Sequence, residues 1–600
     1  MGVGGGALSV SEGAPPSQRT SPWVMLLAAL LVAALALVVV MAVRAPRDIG
    51  GASKDTMASG LPLTPEQQSV EFRHADLSFE VFPDRRAIAG KAVLTLVVAK
   101  PIARIQFDLD RELPISSLSL NGQALGSDRW RNPDGRATVD LGRTAKAGET
   151  LTLVIAYAGR PHVAKKAPWD GGFVWSRTPA GAPWVATAVE GEGCDLFWPC
   201  FDNSMVEVGT VDLLITVPKG LVAPSNGRLI TVTTGSDGRT TYHWRTEHPN
   251  NYAIALNIAP YRVVSGSYAS RFGNRIAMDY WYLPGEEKRA KALFSEFAPT
   301  LDFFEAMIGP YPFGGEKVGV VETPHLGMEH QTINAYGNAY KAAPEGFDWL
   351  FQHEFSHEWF GNQLTNADWD DMWLHEGFGT YMQPLYSEWR GGRIPYDAWL
   401  WRLRATIMNR HPIVSGTHRT EAQVYNKETG PGLDIYNKGA WVLHTLRGLI
   451  GDAAFFRAIR REVYGRVDPA PGNFKTRFGS TNEFVRIVNQ ESKRDLGWFF
   501  DVYLRQAKLP LLVDRREGNR LVLQWRTPRG LPFPMPVEVA VDGTARTVAM
   551  TGGKGALTLP SPRAHVTIDP QGKLLRQSDE MDRFRDFTDA AKTKAAGGKS

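Results

Sequence analysis

Six hundred residues exceed what one hydrophobic core organises, at ~100–200 residues per domain, so about three domains are expected. With 43% hydrophobic, 22% charged and 10% aromatic residues, the chain is neither mostly disordered, nor collagen-like, nor a coiled coil. Lys+Arg 67 against Asp+Glu 63 is too balanced to point to nucleic acid, and two cysteines exclude a disulfide scaffold or a thiolate zinc site.

Residues 1–22 are rich in Gly, Ser and Pro and read as a disordered tail. Trp23 to Val43 follows as 21 residues without charge, Gly or Pro. As a helix it reaches ~31 Å, the thickness of a bilayer core, and it is longer than the apolar part of a cleaved signal peptide. A single transmembrane helix is expected over 23–43, then a disordered linker over 44–64. Arg19 precedes the span and Arg44, Arg47 and Lys54 follow it, a count that leans the C-terminal body towards the cytoplasm. Long domains translocate largely regardless of charge, so the body is placed outside.

From 65 to 265 the pattern is β. LSFEVF (77–82), the turn PDRR and KAVLTLVV (91–98) alternate as a hairpin, and VDLLITV (211–217) and NYAIALNIA (251–259) read as further strands. Apolar residues at helical intervals begin near 286, and a mostly helical domain is expected over 266–506. Strand signals return over 507–575 as a small β-sandwich, and 576–600 is a polar tail. The fold class is therefore α+β and multidomain.

The most informative stretch is FQHEFSHEWFGNQLTNADWDDMWLHEGFGTYM. On a helix, His353 and His357 are ~40° apart in azimuth and ~6 Å in height, which suits two ligands of one tetrahedral zinc. Glu354, beside a ligand, can reach a water at the metal without occupying it. Gly361 and Asn362 should end the helix, and Asp368, Asp370 and Asp371 offer caps for a second one carrying Glu376. Glu376 as third ligand leaves a fourth position open, the mark of a catalytic site. Trp359, Phe360, Trp369 and Trp373 imply that this helix pair is buried, where uncompensated His and Glu would be costly.

HEFSHEWFGN with Glu376 in WLHEGFGTY resembles the aminopeptidase N family of zinc metallopeptidases (gluzincins), which also includes leukotriene hydrolase. The resemblance spans about 70–575. It implies a saddle-shaped β domain, a thermolysin-like catalytic domain and a small β-sandwich. It places the zinc ligands of the family, one ion per chain, on His353, His357 and Glu376, and its general base on Glu354. The Gly-x-Met-Glu-Asn motif of the family aligns with Leu326 to His330, with Leu326 and His330 departing from it. In the family the carboxylate at Glu329 grips the substrate's α-amine, and Gly327 and His330 fall in the same substrate-binding segment. The family's TQxE-type segment falls on Thr187 to Glu190, with Ala188 in place of Gln and Glu190 as a second amine ligand. Tyr436, followed by Asn-Lys-Gly, matches the tyrosine that donates to the oxyanion. The family's helical roof domain has no counterpart after the sandwich, which implies a more open cleft.

These residues lead to a membrane-anchored zinc aminopeptidase acting on peptides with a free N-terminus. The alternatives are a zinc endopeptidase, or a peptidase fold that only binds. Cys194 and Cys200 could form a disulfide or be two packed thiols. The sequence carries no signal for oligomeric state.

Overall fold

The computed structural model describes residues 52–341, 344, 346–472 and 474–579, with 582, 583, 586 and 587. Alternation in Val70–Phe82 and Ala87–Val98 sends Leu77, Phe79, Val81, Leu94 and Leu96 to one face, where all are buried. The two strands pair antiparallel with Leu77 opposite Ala92, around a turn at Pro83–Arg85. They form the centre of an eight-stranded sheet, and Thr210–Val217 joins it parallel to Val70–Phe82. The turn at Cys194–Leu196 is closed by a disulfide between Cys194 and Cys200.

Three expectations need correction here. The 44–64 linker is not loose where it is described: Thr56 is 3% exposed and Ser59 5%, and Leu61 accepts from Asn203 Nδ2 at 3.0 Å. Its small and apolar side chains pack on the β domain. The run 251–259 forms a 3-10 turn, Asn251–Ala253, and a two-residue strand, Asn257–Ile258. Asn250 caps the turn through Tyr252 N–H, and Asn226 accepts from Ala255 N–H at 2.9 Å, so side chains replace a ladder. The boundary between 265 and 266 falls inside the strand Arg262–Ala269.

That strand opens a five-stranded sheet in the order Arg262–Ala269, Arg275–Tyr282, Val318–Glu322, Asn334–Tyr336, Gly327–Met328. The last three of these strands have five residues or fewer, too short to show a period, and with the two longer ones they make 266–336 less helical than its sequence reads. Helices follow. We number those used below α1 (Trp349–Ser356), α2 (Trp373–Gly391), α3 (Glu421–Tyr425) and α4 (Asp434–Ile450). Trp359, Phe360 and Trp373 are fully buried and Trp369 nearly so, as their density implied. The indoles of Trp359 and Trp373 donate to Tyr464 Oη at 2.8 Å and Thr481 Oγ1 at 2.7 Å.

Residues 511–568 form two three-stranded sheets, a β-sandwich. It is tied to α4: Lys438 Nζ, fully buried, donates to the carbonyls of Gln506 and Ala507 at 2.9 Å each. Thr445 Oγ1 accepts from Leu575 N–H at 3.1 Å, and His444 Nε2 donates to Gly572 O at 3.0 Å. The 1–22 tail and the 23–43 span lie outside the described residues, as does most of 576–600. Among the described residues no helix is long and apolar enough to cross a membrane.

Candidate metal centre

α1 begins at Asp348, whose carboxylate accepts from the N–H groups of Leu350 and Phe351 at 3.0 Å each. Helical dihedrals persist through His357 and are lost at Phe360 and Gly361, where the sequence placed the break. His353 and His357 therefore share one face. Asp368 accepts from Asp370 N–H at 2.8 Å and caps a 3-10 turn, Trp369–Asp371, and α2 follows with Glu376 in its first turn. α4 lies against α2 where Gly377 meets Gly439: a Cβ on Gly439 would stand 3.0 Å from Gly377 Cα. That backbone contact brings Tyr436, one turn before Gly439, up to the metal centre.

The three donor atoms form a nearly equilateral triangle. His353 Nε2 and His357 Nε2 are 3.3 Å apart, and Glu376 Oε2 is 3.4 Å and 3.5 Å from them. Ligands at ~2.0–2.1 Å in tetrahedral geometry are separated by about 3.3–3.4 Å, so the triangle is the face of a zinc tetrahedron. Glu376 Oε2 is buried and receives no hydrogen bond. His357 Nδ1 donates to Phe360 O at 2.8 Å, which turns the Nε2 lone pair towards the centre. The donor set fits zinc. Burial acts to raise the pKa of Glu376, but the two imidazoles 3.4 Å and 3.5 Å from Oε2 overcome it and hold the group well below the usual carboxylate range.

Glu354 sits against the Gly327–Met328 strand: a Cβ on Gly327 would lie 2.2 Å from its Oε1, so only glycine leaves room. Burial, reinforced by the charge of Glu329 and opposed by His357, pushes the Glu354 carboxyl well up. Tyr436 Oη is 3.3 Å from Tyr425 Oη, and Tyr425 donates to Glu376 Oε1 at 3.2 Å. Carboxylate oxygens of Glu190 and Glu329 and a ring nitrogen of His375 all lie within 4.8 Å of one another. Tyr252 donates to Glu329 Oε1 at 2.9 Å, and Asn362 Nδ2 to the Glu329 carbonyl at 2.8 Å. Burial, then the charges of Glu329, Glu376 and Glu421, raise the Glu190 carboxyl well above its ordinary value.

The structure thus brings together His353, Glu354, His357, Glu376, Tyr436, Glu329, Glu190 and Gly327. His330 does not join them. Its side chain is fully buried and neither ring nitrogen has a partner, while its carbonyl accepts from Ile333 N–H and Asn334 Nδ2. Tyr252, Tyr425 and His375 were not anticipated. The first two reach the site across 77 and 49 residues and carry no local signal, whereas His375, beside Glu376, had one in its position.

Fold and site together define a metallopeptidase plan, a His-His-Glu centre on a buried helix pair beside a β-rich domain. The chain belongs to the aminopeptidase N family of zinc metallopeptidases: the peptidase M1 N-terminal domain matches residues 71–251 and the peptidase family M1 domain matches 322–503. Aminopeptidase B of Homo sapiens is 26% identical over 63% of this chain and 60% of its own length. A probable aminopeptidase 1 of Sulfurisphaera tokodaii is 24% identical over 59% and 44%. The chain spans about half the length of the curated relatives it matches, from 39% to 60% in those with the strongest similarity. The crystal structure of an M1 zinc metallopeptidase from Deinococcus radiodurans superposes with a TM-score of 0.61 at 25% identity, covering 76% of this chain and 98% of that one. A mutant of that protein is bound to a Tyr-Ser-Ala substrate.

Proposed function

We propose that this protein is a zinc aminopeptidase, tethered to a membrane by residues 23–43 with its body outside the cytoplasm, that removes the first residue of peptides. One observation carries the reading: the donor triangle of His353, His357 and Glu376 stands beside a second acidic pair, Glu190 and Glu329. A single zinc ion held by that triangle supplies Lewis-acid polarisation of the scissile carbonyl and the attacking water.

The chain's own groups do the rest. Glu329 and Glu190 accept hydrogen bonds from the substrate's ammonium, and Tyr252 holds Glu329 in place. With the ammonium anchored there, only one residue fits before the scissile bond. Glu354 takes a proton from the attacking water and passes it to the departing amine. Tyr436 donates to the oxygen on which negative charge develops, a contribution of ~3–4 kcal/mol for a preorganised donor.

The test pairs each free-amine peptide with its N-acetylated form, with and without chelator, on protein reconstituted with zinc. Release of the first residue from the free-amine form alone, abolished by chelator, supports the reading. Equal cleavage of both forms, or internal cleavage, would make this an endopeptidase; zinc-independent turnover would remove the metal centre from the chemistry.

A further inference from the structure

Beyond the amine-binding pair, the site carries two carboxylates that this mechanism does not use. Glu421 opens α3, and Tyr425 closes it four residues later, so both project from the same face. Tyr425 points at Glu376 and Tyr436, at the metal centre. Glu421 points at the loop that follows Glu190: a Cβ built on Gly191 would lie 3.3 Å from its carboxyl carbon and Oε1. A side chain at 191 would press on the Glu421 head group, which lies along that loop. Glu192, next in the loop, accepts from Gly171 N–H and adds its charge to that of Glu421.

No Lys or Arg pairs with Glu190, Glu192, Glu329, Glu354, Glu376 or Glu421 among the described residues. Zinc and a substrate ammonium supply three positive charges against these six carboxyl groups. Glu421 is half-buried rather than sealed, so a ligand can reach it. Burial first, then Glu192, push its carboxyl up to about 8, the behaviour of an acid short of a counter-charge. A separate polar group stands beside Glu190 and Glu329. His375 is 1% exposed and its Nε2 accepts from Asn366 N–H at 3.0 Å, which leaves the proton on Nδ1, and that nitrogen has no partner.

We propose that Glu421, backed by Glu192, is a specificity-determining residue that receives the side chain of the substrate's first residue and selects arginine or lysine there. The inference rests on the aminopeptidase reading, which orients the α-amine on Glu329 and Glu190 and leaves the first side chain on the Gly191–α3 side. A guanidinium or ammonium at the end of three or four methylenes supplies the missing positive charge next to Glu421. With a neutral first residue the Glu421 carboxyl keeps its proton and gains no ion pair, whereas a guanidinium or ammonium beside it favours the ionised form and is bound by it.

The experiment compares aminoacyl-amides of arginine and citrulline, which share a shape and differ in charge, on the zinc-loaded full chain. Arginine should be favoured about 10- to 100-fold in kcat/KM, mainly through KM. In Glu421→Gln the arginine-to-citrulline ratio should fall towards one, and in Glu192→Gln it should fall part of the way. The ratio is taken within one enzyme, so a partly misfolded variant does not distort it, and the wild-type ratio decides even if a variant fails to fold. A wild-type ratio near one, a preference for acidic first residues, or an equal loss for both substrates in Glu421→Gln would overturn the proposal. Failure to cleave any free-amine substrate would instead refute the aminopeptidase reading.

Discussion

Replacing Gly327 by Ala separates the placement of Glu354 from the binding of zinc. The added Cβ would lie 2.2 Å from Glu354 Oε1, 2.8 Å from its Cδ and 2.7 Å from Leu350 Cδ1. Carbon contacts are comfortable only near ~3.5 Å, so the carboxylate must retreat by ~1 Å or more. Because it ends a flexible side chain, it can do so for a rotamer cost of ~1 kcal/mol, and the fold should survive. The catalytic cost is larger: displacing a reacting group by ~1 Å lowers the rate ~100-fold, about 2.7 kcal/mol of barrier. His353, His357 and Glu376 are not among the atoms the new Cβ meets, so zinc content should be unchanged. The assay measures kcat on a free-amine substrate together with zinc by elemental analysis and the melting temperature. Retention of more than a third of wild-type turnover with full zinc would refute the placement of Glu354. Loss of zinc in step with activity would show that the strand supports the metal rather than the base.

Glu354→Gln should keep zinc and lose at least ~1000-fold in kcat, since the amide cannot carry the proton; tenfold or smaller loss contradicts its role. Tyr436→Phe should lower kcat ~100- to 1000-fold with KM little changed, which steady-state kinetics can separate. Tyr252→Phe removes the 2.9 Å hydrogen bond to Glu329 and should raise KM about tenfold for free-amine substrates, with zinc content constant. Burial holds His325 near a pKa of about 4 and His330 and His444 near about 3, below the ordinary 6.5. For each such ring the unfolded chain binds more protons below pH ~6.5, so that ring's contribution to stability falls by about 1.4 kcal/mol per pH unit towards pH 4. Buried carboxyls with raised values, Glu421 among them, act with the opposite sign, and one ring's effect shows as the difference between wild type and a variant lacking it. Urea midpoints of wild type and His444→Gln between pH ~7.5 and ~5 check this: wild type should lose more stability than the variant as pH falls, and parallel profiles would contradict it.

The metal centre was legible because its determinants are local. Two histidines one turn apart need only a helix, and the break at Phe360–Gly361 was written in the glycine. Glu376 required one more inference, a second helix after a short loop, and capping aspartates marked its start. The hairpin at 70–98 was readable because period-two alternation sets which face is buried. Nothing comparable marks Tyr252. Its segment alternates like a strand, yet Asn226 and Asn250 satisfy the backbone with side-chain amides from distant or preceding positions. For His330 the motif fixed a backbone position but not where the ring comes to rest, and no side-chain contact ties it to the other site residues. Strands as short as Gly327–Met328 exist only through their neighbours, so the sheet beneath the site has little signature of its own.

Lys438 makes the sandwich part of the machinery. The helix that presents Tyr436 is bolted, two residues further on, to the carbonyls of Gln506 and Ala507, and again by His444 and Thr445 to the segment 572–575. A chain trimmed at 505 would strand an ammonium in a dry interior and loosen the helix that aims the phenol. The terminal module is thus a keystone rather than an ornament, and efforts to miniaturise this scaffold should keep everything through residue 575.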